Sequence, residues 1–333
     1  MGKLGTEDLK KLLSCIRNDT RVVIPPMPGF DSGVHKIGDE YLVVSTDPCI
    51  GVPKEWFGWL LVHYAASDVA LFGAKPEFCT INLLGPETTK PQVFHKVMRQ
   101  TCNAANGLDM AIVTGHTGTY QGLMTLVGVC TAYGTVSREK LKTPSNAKSG
   151  DYVYCIKPIG LETVINLALT HKTLAEKLFG VGKTYELSKL VHMQSCVTEA
   201  LLLAEIEGVH AMHDATEGGI VAALNEIAEA SNVGFEIYMG KLPIPEQVCT
   251  LQRHLHLSDE QMLSMSSTGT ILAAVSPKAK STVEGILGES KVEAHLVGVF
   301  TGNMDRILES NGQKRVFPQK ADDPYARILS GKA

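Results

Sequence analysis

The chain has 333 residues, 31 basic against 35 acidic side chains, and a 44% hydrophobic share typical of a globular protein. This length exceeds one ordinary core and predicts two domains of roughly 150 to 180 residues; the near balance of charge offers no field for nucleic acid or an anionic membrane. No apolar run reaches the roughly 18 to 20 residues of a membrane span, and Lys10 and Lys11 break up the leucines where a signal peptide would need an apolar run, so the expectation is a cytoplasmic protein.

Residues 6–17 read as an amphipathic helix capped by Thr6, with Leu9, Leu12, Leu13 and Ile16 in one stripe. The irregular run Ile24-Pro25-Pro26-Met27-Pro28-Gly29 delivers a polar turn, Phe30 to Val34. The strand Tyr41 to Thr46 is expected to end at Asp47-Pro48. An acid at the end of an apolar strand serves either as a metal or phosphate ligand or as the start of the turn. A mostly buried helix follows from Trp56 to Leu71, stopped by Gly73-Ala74-Lys75-Pro76. Asp68, near its C-terminus, opposes the helix macrodipole and needs a partner such as a cation.

Next come a strand Glu77 to Leu84, a helix Pro91 to Asn106 and a strand Asp109 to Val113. The small-residue run Thr114 to Gly122 reads as a phosphate-wrapping loop or as a plain hairpin into the strand Leu123 to Tyr133. Residues 137–150 lack apolar periodicity, which puts a boundary between a domain of residues 1–140 and one of residues 150–320.

The second half opens with a strand Asp151 to Ile156 and a helix Leu161 to Leu169. Gly180-Val181-Gly182-Lys183-Thr184 looks like the end of a P-loop. However, Lys177 stands where a glycine is required and no strand leads in, so it reads as a surface loop. A helix Ser195 to Glu207 and a strand Val209 to Met212 lead to His213-Asp214-Ala215-Thr216-Glu217-Gly218-Gly219, after which apolar residues recur at helical spacing. That junction is either an anion site at a helix N-terminus or an ordinary cap in which Asp214 or Thr216 accepts N–H bonds. The rest reads as a strand 233–238, a helix 245–255, a strand 270–275, a helix 277–287, a strand 292–300 and a polar tail. Strands and helices alternate without a strict βαβ rhythm, which indicates an α+β fold. The eight cysteines (15, 49, 79, 102, 130, 155, 196 and 249) include no Cys-x-x-Cys. They are expected to be mostly buried small hydrophobes, with Cys15 facing the core, rather than a zinc site or a disulfide framework.

Taken in order, Asp31-Ser32-Gly33, Thr46-Asp47, Ser67-Asp68 with Gly73-Ala74-Lys75-Pro76, the glycines at 115 and 118, and Asp214 through Gly219 resemble the motifs of the aminoimidazole ribonucleotide synthetase superfamily. Its members include thiamine-monophosphate kinase, selenophosphate synthetase and the hydrogenase maturation protein HypE. The match spans nearly the whole chain and is most similar to HypE over Val209 to Ala228 and Ile244-Pro245.

The resemblance implies a two-domain PurM-like fold: an N-terminal ATP-binding domain that dimerises through a β-barrel-like sheet, and an α+β C-terminal domain. ATP would lie in a cleft between domains or at the dimer interface, and its γ-phosphate would pass to a small-molecule acceptor with magnesium held by acids. Carried onto this chain, Asp31, Asp47 and Asp68 would be the magnesium ligands, with Asp68, Asp214 and His116 at the chemistry. Gly73, Lys75, Gly115, Thr117, Gly218 and Gly219 would contact the nucleotide.

This chain departs from its relatives in four ways. His116 stands where relatives carry an acid, and Glu217 stands where an arginine is usual. The final residues, Arg327 to Ala333, hold no counterpart of the terminal cysteine through which HypE works, and no cysteine lies in the N-terminal glycine turn where selenophosphate synthetase keeps its reactive one. Two readings follow: an ATP-dependent enzyme acting on a small molecule, or a nucleotide-binding partner protein that serves the assembly of another enzyme.

Overall fold

The computed structural model describes residues 4–330. The chain divides into two compact units. One runs from Leu13 to Leu141; the other is the chain from Lys142 onward, joined by the stretch up to Leu12. The first helix, α1 (Thr6–Leu13), is shorter than expected. Its stripe stays largely in solvent, with Leu12 57% and Ile16 47% exposed. Cys15, expected to face the core, is exposed because it falls past the helix end in a turn. The cap expected from Thr6 concerns a side chain outside the described residues.

In chain order the N-terminal unit comprises β1 (Val22–Ile24), β2 (Ser32–Ile37), β3 (Glu40–Ile50), α2 (Phe57–Leu71), β4 (Phe78–Pro86), α3 (Pro91–Gly107), β5 (Ala111–Tyr120) and β6 (Val127–Val136). The strands form one sheet in the order β1-β2-β3-β6-β4-β5. All neighbours are antiparallel except β4 and β5. Alternation along β6 buries Gly128, Cys130, Ala132, Gly134 and Val136 on one face. The apolar helix α2 covers this face so closely that a Cβ at Gly128 would lie 2.9 Å from both Leu61 and Phe57.

Two expectations for this unit change. β3 does not end at Asp47-Pro48 but runs on to Ile50. β2 pairs with β3 no further than Ser45, so Pro48 lies on a stretch with one free edge, where a residue without an N–H is tolerated. The run 114–120 is neither a loop nor a hairpin arm. It continues β5 along the sheet edge, parallel to β4, and β4 separates it from β6.

The C-terminal unit comprises β7 (Tyr152–Ile156), α4 (Leu161–Thr170), α5 (Lys172–Phe179), α6 (Val181–Ser188), α7 (Val197–Ala204), β8 (Val209–Ala215), α8 (Gly219–Ser231), β9 (Gly234–Tyr238), α9 (Glu246–Leu255), α10 (Asp259–Leu263), β10 (Ser267–Val275), α11 (Lys280–Glu289), β11 (Ala294–Thr301), β12 (Arg306–Ser310), β13 (Gln313–Val316) and α12 (Tyr325–Leu329). Its seven-stranded sheet has the order β13-β12-β9-β11-β7-β10-β8. A core that includes Val153, Cys155, Ile220, Leu224, Phe235 and Leu272 joins the sheet to its helices. The mixed, non-alternating arrangement is the expected α+β class.

Two segments correct the sequence reading here. The run at Gly180 is the start of a helix, α6, with Gly180 at φ 83° ahead of it. The polar tail is structured: β12 and β13 extend the sheet, and α12 docks with Ile328 buried.

Candidate functional site

Within the N-terminal unit, β3 and α2 place two acids, Asp47 and Asp68, on one side of the sheet. Asp68 lies in the last turn of α2 and is only 5% exposed. Its carboxylate oxygen Oδ2 accepts a 2.7 Å hydrogen bond from the buried hydroxyl of Ser45. Two residues along β3, Asp47 leaves the same face of the sheet as Ser45. It pairs with Cys130 in the neighbouring strand. Hydrogen bonding with Cys79 and burial push the Cys130 thiol far above its ordinary range, and the charge of Asp47 adds to this, which keeps the sulfur protonated and unreactive.

Ser32 lies opposite Ser45 in the β2–β3 ladder, and its buried hydroxyl has no hydrogen-bond partner. Asp31 immediately precedes it, at the entry to β2. The Ser32 and Ser45 hydroxyls and the Asp47 and Asp68 carboxylates lie on one side of the sheet, a set of oxygens that suits a hard divalent cation such as magnesium.

The other predicted residues of this unit fall elsewhere. Gly115 shares a cross-sheet row with Ile81, Cys130 and Asp47. It must be glycine because a Cβ would lie 2.0 Å from the Ile81 carbonyl oxygen. Thr117 leaves the same face as Gly115 and is exposed. His116, one residue away, leaves the opposite face and meets the Tyr120 hydroxyl through Nε2 at 2.5 Å. The sheet therefore separates its imidazole from Asp47 and Asp68. Gly73 takes φ 82° just past α2, as a helix stop requires. Lys75 is exposed and ion-paired to Asp109 at 2.8 Å. Its backbone packs on Gly134, four residues along β6 from Cys130.

In the C-terminal unit, Asp214 lies near the end of β8 and is 5% exposed. Its Oδ2 accepts a very short hydrogen bond from the Thr216 hydroxyl. His213 beside it is buried, with Nδ1 2.8 Å from the Asp214 carbonyl oxygen and Nε2 2.9 Å from a Glu226 carboxylate oxygen. The glycine pair then turns the chain into α8. Gly218 adopts φ 82°, and Gly219 adopts φ 54° with its Cα against the Leu263 and Met265 carbonyl oxygens, so that a Cβ would lie 2.6 Å from each. Packing alone thus demands Gly219.

The anion at the start of α8 is the chain's own. Asp323, from the tail, accepts from the Gly218 N–H at 3.1 Å and from the Ser266 hydroxyl at 2.6 Å. Nearby, the buried carboxylate of Glu162 accepts from the Thr268 hydroxyl at 2.6 Å. Burial raises its pKa to about 7, the Thr268 hydroxyl opposes the shift, and the charges of Asp323 and Glu217 add to it.

Sequence reasoning missed Ser45, Glu162, Ser266 and Asp323. The period of two along β3 could have placed Ser45 beside Asp47. No local pattern ties Asp323 to a helix start 105 residues earlier in the chain.

Two α+β domains with a glycine pair opening a helix after a strand define the class of protein. The AIR synthase related protein models match this chain, the N-terminal domain over residues 29–136 and the C-terminal domain over residues 148–308. The chain belongs to that family. It is 27% identical over 305 residues to a putative hydrogenase expression/formation protein of Methanocaldococcus jannaschii, spanning 90% of this chain and 88% of the relative. It is 25% identical over 340 residues to a selenide, water dikinase of Carboxydothermus hydrogenoformans, spanning 92% and 94% respectively. A crystal structure of the hydrogenase maturation protein HypE in complex with ATP shares the fold, with a TM-score of 0.71, 19% identity and coverage of 96% of this chain and 91% of that one. Among the described residues, no helix is long and apolar enough to cross a membrane.

Proposed function

We propose that this chain is an ATP-dependent, magnesium-assisted enzyme that transfers the γ-phosphate of ATP to a small-molecule acceptor or activates it in that way. The observation that carries this reading is the buried Asp68–Ser45 pair on the sheet face that also bears Asp47. A carboxylate buried in the last turn of a helix opposes the macrodipole and loses hydration, so keeping one there favours a use for its charge. Family membership adds support, as do a relative named as a dikinase and a neighbour in the same fold solved with ATP.

Asp31, Asp47 and Asp68 would hold the magnesium, with the Ser32 hydroxyl, on the face of Ser45 and Asp47, as a further oxygen. When bound, the metal neutralises charge on the phosphates. The chain's own part is positioning, because phosphoryl transfer needs alignment and charge compensation more than a protein nucleophile. Ser45 fixes the Asp68 carboxylate, and Thr216 fixes that of Asp214. Gly115, Thr117, Gly73 and Lys75 are assigned to the nucleotide in the N-terminal unit, and the N–H of Gly218 to a phosphate oxygen in the C-terminal one. His116 is assigned no role beside Asp68, since it leaves the other face of the sheet. The active form is a cytoplasmic homodimer joined through the open face of the N-terminal sheet.

The test is ADP formation from ATP and magnesium with panels of carboxylate, amide, alcohol and selenide acceptors. Asp68→Asn keeps an acceptor for the Ser45 hydroxyl, so it should leave the melting temperature close to wild type while lowering turnover by about 100-fold or more. A second reading, a nucleotide-binding partner for the assembly of another enzyme, is favoured by the exposed anion Glu217 beside Gly218 and by the hydrogenase-formation relative. ATP binding without ADP formation from any acceptor selects it.

A further inference from the structure

Ser32 is 3% exposed, and its hydroxyl makes no hydrogen bond among the described residues. A buried hydroxyl in that state loses its hydration and gains no bond in return. Packing does not ask for it either. Ser32 begins a cross-sheet row that runs through Ser45 and Ala132 to Cys79, and the row accommodates a bare methyl at Ala132. An alanine at position 32 would fill the same space without the penalty.

Residues directly opposite each other in an antiparallel pair have Cβ atoms about 4.5 to 5.5 Å apart on one face, so Ser32 and Ser45 stand side by side. The next residue of β2 on that face is Val34, opposite Val43, and both are buried, which closes this end to water. In the other direction Asp47 follows Ser45 on β3, and Asp68 reaches Ser45 from α2. The hydroxyl thus lies between an apolar floor and two acids.

The single hydroxyl proton of Ser45 goes to Asp68 Oδ2 at 2.7 Å, which leaves the Ser45 oxygen able to accept but not to donate again. Ser32 can therefore give its proton to Ser45 while its own oxygen accepts from a third group. That group must be a donor small enough for a closed site and compatible with two carboxylates. A water bound to a metal ion is such a donor, because its lone pair is turned to the cation and its hydrogens are left for acceptors. Among hard cations this description favours magnesium, which dehydrates reluctantly and keeps several waters, over calcium, which surrounds itself with more direct oxygen ligands.

We propose that Ser32 positions the metal through water: its hydroxyl accepts a hydrogen bond from a magnesium-bound water, and this contact makes the site prefer an ion that keeps its water over calcium. The inference rests on the reading of Asp47 and Asp68 as magnesium ligands in the proposed function. It adds a positioning residue that carries no charge and no direct bond to the metal, and it gives that residue the choice of ion. Groups that hold a metal's ligands from behind in this way strongly affect its affinity. The hydroxyl is satisfied only in the loaded site, so it is kept at the expense of the metal-free fold.

The experiment compares wild type with Ser32→Ala in the full chain, with magnesium and calcium alone as probes. Calorimetry measures the binding of each ion, and thermal unfolding is followed in the presence of a chelator. Without metal, Ser32→Ala should melt about 2 to 4 °C above wild type, since it removes an unsatisfied buried group. It should bind magnesium about tenfold more weakly, with calcium affinity unchanged. A serine that serves only the fold gives the opposite pattern, a lower melting temperature with both affinities intact. That pattern overturns the proposal, as does unchanged magnesium binding, an equal loss for the two ions, or a wild type that binds neither. The enzymatic reading fails separately. Magnesium binding lost in Asp68→Asn but kept in Ser32→Ala leaves the metal site and removes the role of Ser32, whereas an ion preference set by Ser32 in a chain that forms no ADP keeps that role and removes the enzyme.

Discussion

Glu162 is buried in the C-terminal unit with a pKa raised by burial to about 7 from an ordinary 4.5, while the Thr268 hydroxyl donates to its charged form and partly opposes the shift. Between those two values the folded chain binds a proton that the unfolded chain has released. The resulting stabilisation is present in full below about pH 4.5 and is lost as the pH rises through about 7. A gap of about 2.5 pKa units corresponds to about 3 kcal/mol. Glu162→Gln removes the titration and can still accept from Thr268. Urea denaturation should find it close to wild type near pH 4 and more stable by up to about 3 kcal/mol at pH 8; a constant difference across that range rejects the assignment. This carboxylate shows where the sequence stops being readable. Asp68 stood out because it broke a local rule, an acid at a helix C-terminus, and Asp47 because an acid closing an apolar strand is a common ligand position. Glu162 breaks none, since an acid in the first turn of a helix is favourable. Its isolation arises from β10 and the tail, which are distant in sequence.

Elements were legible where one side of them faces a single layer. The alternation that buries every second residue of β4 and β6 and the stop signal at Gly73 are local, and both reappear in the structure. The continuation of β3 past Pro48 and of β5 to Tyr120 was not, because each depends on which neighbouring strand is present or missing at that point. The contact between α2 and α3 is equally hidden. Gly58 sits where a Cβ would lie 2.4 Å from the Val97 carbonyl oxygen and 2.6 Å from the Thr101 nitrogen. Both are backbone atoms, so no rotamer change relieves the clash and the helices must move apart. Gly58→Ala should therefore cost about 2 to 3 kcal/mol despite its better helix propensity, read as a lower midpoint in urea. It should also lower the magnesium affinity proposed for Asp68, because α2 carries that acid. A midpoint at or above wild type would mean that α3 yields freely and that the interface is not tightly packed.

At the scale of the whole unit, no helix among the described residues of the N-terminal unit covers the second face of its sheet. Val44, Val129, Thr131, Tyr133, Thr80 and Asn82 leave that face, each half-buried, and Phe78 is 41% exposed. Phe78 and Tyr133 stack there with ring centroids 5.6 Å apart, and Thr46 and Thr131 join their hydroxyls at 2.9 Å. Threonine, valine and aromatic side chains with no charge among them are a poor surface to leave against water and a good one to cover with a flat partner. A second copy of the same sheet offers that partner, since an isologous contact needs only one self-complementary patch. The expectation is a homodimer at micromolar concentration by light scattering. Val129→Lys should shift it to monomer, because a lysine from each copy would be desolvated in the contact. The melting transition should then become independent of protein concentration, as linkage requires once association is gone. A wild-type chain that scatters as a monomer throughout the micromolar range would reject the dimer and leave this face for another protein, which is what the assembly-partner reading requires.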